Sequence, residues 1–360
     1  MKLKSLITIS FGAIVSLLLP VGCTGNKSSQ NDNEQGAASA VPVHQVAVPD
    51  SVNILIDIKD AQPLAKGFPE TTTIEFSEEC ENFVGMPHNI EVRGDTLYIV
   101  DSFKAPGFYA YLKDGSQLFA YTATGTGPEE FFNLTDMKVT DTAISAFDYS
   151  GGCIVEIDKS GNFLRKVPVA MMTYGAMLDG NGGVWADFSN QVEENVKLAH
   201  RADSLSGFNM VIPVPEAFKG MITLPLLQFH SLENGEITWQ PSHDHRIYTL
   251  DNGNAILRYN LDFKDLWPSD KELAKYQGNT WAIKMRDFPV SRPVSHETDR
   301  WLLTGFQSGD RRYLHIFDKT TGKGRIYFYG KDEYYTPQAI SGNEIFLLRT
   351  DGNVEVLEIR

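Results

Sequence analysis

Cysteine is nearly missing from this chain: three occur in 360 residues, at positions 23, 80 and 153. One pair is no disulfide framework, and without a Cys-x-x-Cys there is neither a thiol redox motif nor a thiolate zinc site. Basic charge is short as well. The 32 Lys and Arg face 46 Asp and Glu, a formal charge of −14, which opposes nucleic acid as a partner because counterion release needs a cationic surface. The most apolar stretch, Leu6 to Leu19, has 14 residues, short of the ~20 that span a bilayer. No Gly-x-Ser-x-Gly elbow and no His-Glu-x-x-His pair is present. The one Gly-rich loop, Gly125-Thr-Gly-Pro-Glu-Glu130, has Pro and two carboxylates where a Walker loop needs Gly-Lys-Ser/Thr, so it reads as a sharp turn rather than a phosphate cradle. No cofactor is expected.

Apolar residues make up 42% of the chain, with 30 glycines, enough to bury a large core. Residues 1–22 read as an export signal: Lys2 and Lys4 precede the apolar stretch, and Pro20-Val21-Gly22-Cys23 closes it. Small residues before a cysteine suit cleavage after lipidation, so Cys23 is expected to become the acylated mature N-terminus and the membrane contact. An ordinary secretory signal or an anchored helix is the alternative. Loss of residues 1–22 removes two lysines and no acid, which leaves 30 basic against 46 acidic groups and a formal charge of −16. Acyl chains, not a basic patch, then hold the protein to the membrane. Residues 23–50 are rich in Ser, Asn, Gln and Ala without apolar periodicity and read as a flexible tether. Acids begin only at Asp32; this favours an outer-membrane lipoprotein facing the periplasm over one at the cell surface.

From residue 71 onward one pattern recurs: a turn, a β-rich run, a second turn and another β-rich run. The first turn falls at Gly94-Asp95, Thr140-Asp141, Asn181-Gly182, Asn234-Gly235, Thr298-Asp299 and Gly342-Asn343, at intervals of 46, 41, 53, 64 and 44 residues. The second recurs at Lys113-Asp-Gly, Asp158-Lys-Ser-Gly, Asp203-Ser-Leu-Ser-Gly, Asp251-Asn-Gly, Asp318-Lys-Thr-Thr-Gly and Asp351-Gly. Four short strands per copy make a sheet that cannot bury both faces alone, so the copies must stack around an axis. The expected fold is therefore all-β, a six-bladed β-propeller over residues 51–360, with a short helical insertion at 264–290 opened by Ser269 and Glu272. The chain ends after three strands of the last copy. Thr72-Thr-Ile-Glu-Phe76 is expected to supply the fourth and fasten the ring.

At Gly125-Thr-Gly-Pro-Glu-Glu-Phe131, and at His245-Arg-Ile-Tyr-Thr-Leu-Asp-Asn-Gly253 running into Leu257-Arg-Tyr-Asn-Leu-Asp-Phe263, the sequence resembles the TolB-like six-bladed β-propeller lipoproteins of Bacteroidetes. The likeness extends over roughly residues 70–360. It implies an envelope lipoprotein with no assigned chemistry.

Ligands of propellers meet the mouth of the axial channel, lined by the first strand of each blade. Counting back from the six first turns gives His88, Asn133, Asp136, Tyr174, Gln228, His230, His296 and Gln338 as candidates. His88, His230 and His296 fall at nearly matching repeat positions and would form a ring, polar or metal-binding; channel water alone is the plainer account of them. His243 and His245 lie two apart on a strand and form a weak metal pair. Acid pairs Glu129-Glu130 and Glu193-Glu194 read as solvated charge. Trp239, Trp267, Trp281, Trp301 and Tyr334-Tyr335 would stack on sugars if exposed and fill the core if not. The leading reading is a non-enzymatic binding or scaffolding module for an envelope protein or glycan. The alternative is an envelope carbohydrate-active enzyme, a lyase or hydrolase, acting at the channel mouth.

Overall fold

Runs such as Leu97-Tyr-Ile-Val100 and Ile345-Phe-Leu-Leu348 are continuous in apolar residues, the pattern of strands covered on both faces. The computed structural model describes residues 51–77, 81–169, 173–191, 196–216, 219, 227–242, 244–273, 275 and 290–360. It begins with three short strands, β1 (Val52–Leu55), β2 (Gln62–Pro63) and β3 (Thr71–Ile74). Blade 1 follows as β4 (Asn89–Arg93), β5 (Thr96–Asp101), β6 (Gly107–Leu112) and β7 (Gln117–Tyr121). Blade 2 is β8 (Leu134–Val139), β9 (Ala143–Asp148), β10 (Cys153–Asp158) and β11 (Phe163–Pro168). Blade 3 is β12 (Gly175–Leu178), β13 (Val184–Gln191), β14 (Val196–Arg201) and β15 (Asn209–Pro213). Blade 4 is β16 (Phe229–Ser231), β17 (Ile237–Trp239), β18 (Arg246–Asp251) and β19 (Asn254–Asp262). Blade 5 is β20 (Ser291–Glu297), β21 (Trp301–Ser308), β22 (Arg311–Asp318) and β23 (Lys323–Gly330). Blade 6 holds β24 (Tyr334–Ser341), β25 (Glu344–Arg349) and β26 (Val354–Glu358). The molecule is a six-bladed β-propeller.

Alternation along each strand sends successive side chains to opposite blade interfaces. Leu97 and Ile99 enter the core shared with blade 6, whereas Tyr98 and Val100 enter the core shared with blade 2. Six apolar clusters result, one between each pair of neighbours. No blade has a core of its own, which is why the repeats fold only as a ring.

The expected closure is present. β3 pairs antiparallel with β26, with Ile74 opposite Val354, and completes blade 6. Two further strands were not foreseen: β1 runs parallel to β19 and β2 parallel to β23, adding a fifth strand to blades 4 and 5. The N-terminal segment is therefore a strap along half the ring's rim. It passes Gly115, whose φ of +86° sets the β6–β7 turn and where a Cβ would lie 2.0 Å from the Glu75 carbonyl oxygen; Ser77 N–H donates to the Gly115 carbonyl there. One turn differs from expectation. Asp351-Gly352 joins β25 to β26, the second and third strands of its blade, because the fourth comes from the N-terminus.

In the 264–290 segment, a short helix spans Asp270–Leu273. The Ser269 amide and hydroxyl both donate to Glu272 Oε2, at 2.9 and 2.8 Å. Residues 274 and 276–289 lie outside the described residues, as do 1–50 with Cys23 and the tether, Cys80, Glu193-Glu194, His243 and Trp281. Cys153 is a buried free thiol. Among the described residues no helix is long and apolar enough to cross a membrane.

Candidate binding face and channel

Strand direction alternates within a blade, so the turns joining strands one to two and three to four lie on one face of the ring. The strand two to three loops and the crossovers between blades lie on the other, the crossover face. First strands run from the crossover face to the turn face along the axis.

The residue that closes each first turn gives a common register: Arg93, Thr140, Asp179, Leu232, Thr298 and Ser341. Two residues before it stand Glu91, Lys138, Met177, His230, His296 and Ala339. His230 and His296 are therefore equivalent, and their rings meet at 4.6 Å between centroids. His88 stands five before the closing residue, three further than its supposed counterparts, which along a strand is ~10 Å. It packs against Phe103 at 5.2 Å instead. The expected ring of three histidines is thus a pair, and among the described residues no group of three or more His, Cys, Asp or Glu is placed to hold a metal. His245 lies 3.6 Å from Asp244 and 4.9 Å from the Trp267 ring.

At this level a polar bridge crosses the axis. Ser231 Oγ donates to Glu91 Oε1 at 2.8 Å, and Arg93 Nη2 donates to Ser231 Oγ at 3.2 Å; blades 1 and 4 are opposite in a ring of six. Arg93 also pairs with Glu91 at 2.9 Å. Burial pushes Glu91 up to about 7, against the pull of Arg93 and of the Ser231 and Val139 donors.

Four residues before the closing residue, Asp136 of blade 2 reaches past blade 3 to blade 4. Its Oδ1 accepts the Gln228 and Phe229 N–H at 2.9 and 3.2 Å. Gly175 makes this possible, since a Cβ there would lie 2.4 Å from Asp136 Oδ2 and 2.7 Å from Gln228 Oε1. Both of those oxygens are buried without a partner among the described residues, and burial pushes Asp136 up to about 7. A carboxyl proton on Oδ2 would supply the donor that both lack. Gln338 is buried in β24.

Burial also neutralises the histidines. It pulls His88, His296 and His315 down to about 4 and His230 well below its ordinary value. The unfolded chain binds protons at these sites below pH ~6.5 and the folded chain does not, so stability is full above that pH and is lost as it falls towards 4. Each of the three shifts corresponds to on the order of 3 kcal/mol. Asp136 and Glu91 act oppositely, costing stability as pH rises from ~4 to ~7. The histidines outnumber them, and the melting temperature is expected to fall between pH 6.5 and 4.5. His315→Asn should flatten that fall; an unchanged acid limb in calorimetry would refute the assignment.

The crossover face is organised by two carboxylates. Asp101 and Asp148 are the last residues of β5 and β9, both buried. Asp101 Oδ2 accepts Gly85, Met86 and Ala105 N–H at 2.9, 2.7 and 3.1 Å, and Oδ1 accepts Phe103 and Lys104 N–H at 2.9 and 3.0 Å. Asp148 accepts Phe132 and Asn133 N–H at 3.2 and 3.1 Å. Each pins an incoming crossover to its own blade.

What these loops present is aromatic. Phe103 is 69% exposed, Phe132 41% and Tyr149 39%. Tyr149 meets the Tyr174 ring at 5.8 Å. Asn133 ties the two ring pairs together: its Nδ2 donates to the Ser102 carbonyl at 3.2 Å and its Oδ1 accepts Ser150 Oγ at 2.8 Å. A row of rings, His88–Phe103, Phe132 and Tyr149–Tyr174, so crosses blades 1 to 3. Large exposed apolar surface of this kind marks interaction sites.

Of the sequence candidates, His88, Asn133 and Tyr174 belong to this row, whereas Asp136, Gln228, His230, His296 and Gln338 are buried along the axis. Phe103, Phe132 and Tyr149 were missed. Their signal is an aromatic residue in a loop beside a strand-ending Asp, as in Asp101-Ser-Phe103 and Asp148-Tyr149. The tryptophans serve the core: Trp239 and Trp301 are buried, and Trp267 stacks on Phe263 at 5.7 Å.

Residues 59–338 match the DUF5128 family, described as a 6-bladed beta-propeller, and the chain belongs to that family. Among solved structures, a protein of Bacteroides fragilis described as exported is similar at 16% identity with a TM-score of 0.66, over 82% of this chain and 88% of the other. A duf4221 family member from Bacteroides vulgatus is similar at 8% identity and TM-score 0.55, over 81% and 97%. Virginiamycin B lyase from Staphylococcus aureus aligns at 12% identity and TM-score 0.45, over 81% and 99%. These likenesses are of fold. No curated protein matches the sequence.

Proposed function

We propose that the mature chain is a lipid-anchored binding module of the bacterial cell envelope that holds a glycan or protein partner on its crossover face. The observation that carries this reading is the row of exposed rings across blades 1 to 3, held by Asp101 and Asp148. Exposed aromatic side chains stack on sugar faces and anchor protein interfaces alike. The channel favours binding over turnover, because its carboxylates Asp136 and Glu91 are buried in contacts between blades.

The export-type segment at residues 1–22, Cys23 and the likeness in fold to a Bacteroides protein described as exported support the envelope address. An outer-membrane lipoprotein facing the periplasm fits the uncharged or basic residues 24–27 after Cys23. Cys23→Ser is expected to move the protein from the membrane to the soluble fraction.

The partner is tested by capture from envelope extract and on a glycan panel. The Phe103→Ala/Tyr149→Ala pair is expected to weaken binding at least ~20-fold, each ring contributing about 1 kcal/mol or more, with little change in melting temperature. Undiminished binding by that variant, or product formation from a glycan that the wild type cleaves, would overturn the reading.

A further inference from the structure

Among the described residues, the large apolar side chains that are exposed divide by type. The aromatic ones share one face: Phe103 and Tyr149 in the strand two to three loops of blades 1 and 2, Phe83 and Phe132 in the crossovers that enter those blades. The aliphatic ones lie elsewhere, Val52 and Leu55 on β1, Leu118 on β7, Leu164 on β11 and Leu205 in the β14–β15 turn. Phe83 stands two residues before Gly85, whose N–H Asp101 holds, so the carboxylate that places Phe103 also fixes the approach of Phe83.

A polar seam separates the rings. Ser102, Asn133 and Ser150 are joined in series by the Asn133 amide, between the loop that carries Phe103 and the loop that carries Tyr149. The rings therefore do not merge into the continuous apolar core that a protein interface buries. Neighbouring sheets pack ~10 Å apart, so a single small ring does not reach from the blade 1 loop to the blade 2 loop. Rings spaced along a face, with hydrogen-bonding groups between them, match a polymer of sugars. Each pyranose offers an apolar C–H face to stack on a ring and hydroxyls at its edge.

Charge narrows the class of glycan. The crossovers into blades 1, 2 and 3 (75–88, 122–133, 169–174) and the strand two to three loops of blades 1 and 2 (102–106, 149–152) hold six acids and one base, Lys104. The chain as a whole is at −14. A polyanion would meet a repulsive field here, whereas a neutral chain pays no such penalty.

We propose that the aromatic face of blades 1 and 2 binds an extended neutral glycan, its successive sugars stacked on Phe103, Phe132 and Tyr149 with hydroxyls over the Ser102–Asn133–Ser150 seam. This rests on the reading of the crossover face as the binding surface and specifies its ligand as uncharged and longer than a disaccharide.

The test is calorimetric titration into the full chain carrying Cys23→Ser. The probes are the neutral β-1,4-linked hexasaccharides cellohexaose, xylohexaose and mannohexaose, their disaccharides, and pentagalacturonate as the charged comparator. At least one hexasaccharide is expected to saturate, with its disaccharide about tenfold weaker or more and pentagalacturonate weaker still. Phe103→Ala and Tyr149→Ala should each weaken it about fivefold, whereas Tyr149→Phe, which keeps the ring, and Leu118→Ser, away from this face, should bind as the parent does. The length and charge comparisons use the unaltered face and stand even if a ring variant fails to fold. No saturation by any hexasaccharide at about 10 mM, equal affinity for hexasaccharide and disaccharide, pentagalacturonate binding as tightly, or undiminished binding by the Phe103→Ala/Tyr149→Ala pair would overturn the proposal. Capture of an envelope protein through the same rings, with no hexasaccharide bound, would leave the binding face standing and sink the glycan assignment.

Discussion

A chain lacking residues 51–74 is expected to lose cooperative folding, or to melt at least ~15 °C lower than the intact chain. The deletion removes β1, β2 and β3 together, leaving blade 6 with three strands and an open edge at β26. It also withdraws Ile54, Ile56, Leu64, Phe68 and Ile74 from the cores between blades 4 and 5, 5 and 6, and 6 and 1. At about 1.5–3 kcal/mol for each fully buried side chain, roughly 10 kcal/mol is at stake. That is the size of a whole domain's stability. Deleting residues 24–50 instead is the control, expected to leave the melt unchanged. Thermal denaturation followed by circular dichroism reads both, and equal melting temperatures for the 51–74 deletion and the parent would show that the strap is dispensable.

Asp101→Ala should be the most damaging single substitution on the crossover face. Five backbone N–H groups donate to this one carboxylate, and alanine leaves them without an acceptor in a loop that is partly shielded from water. At about 1 kcal/mol for each lost bond, the typical value for a neutral bond and below the ~1.5–3 kcal/mol of bonds to a charged group, the cost is at least about 5 kcal/mol. Asp101→Asn keeps one accepting oxygen and should cost about half as much. The same carboxylate places Phe103, so the alanine variant should also expose the Ser102–Ala105 loop to protease and weaken partner binding. Urea unfolding measures the first effect and limited proteolysis the second. A loss below ~1 kcal/mol would mean that the loop holds its shape by packing alone.

The ring was legible because its signal is repeated. Six turn-and-strand units, each too apolar on both faces for a single sheet, leave radial stacking as the one arrangement that covers them, and a three-stranded last copy calls for Thr72–Phe76. β1 and β2 were not legible. Val52-Asn-Ile-Leu55 is an ordinary extended segment, and its pairing with Tyr259–Asp262 depends on where the closed ring leaves an accessible edge. The histidine ring failed for a related reason: first turns differ in length, so counting back from them misplaced His88 by three positions relative to His230 and His296. The aromatic row draws on separate crossings, which no local pattern connects.

By itself, the amino-acid order determined the number of blades and the closing strand, because these follow from local turn chemistry, strand periodicity and the apolar content of short segments. Only the tertiary structure decided which polar groups converge. Gly175 has meaning once Asp136 reaches across it to Gln228, and Glu91 and Ser231 meet only because blades 1 and 4 face each other across the axis. The reason is physical. Turns and strands are set by neighbours in the chain, whereas burial and hydrogen-bond saturation are properties of side chains brought together by the ring from positions as far as 140 residues apart.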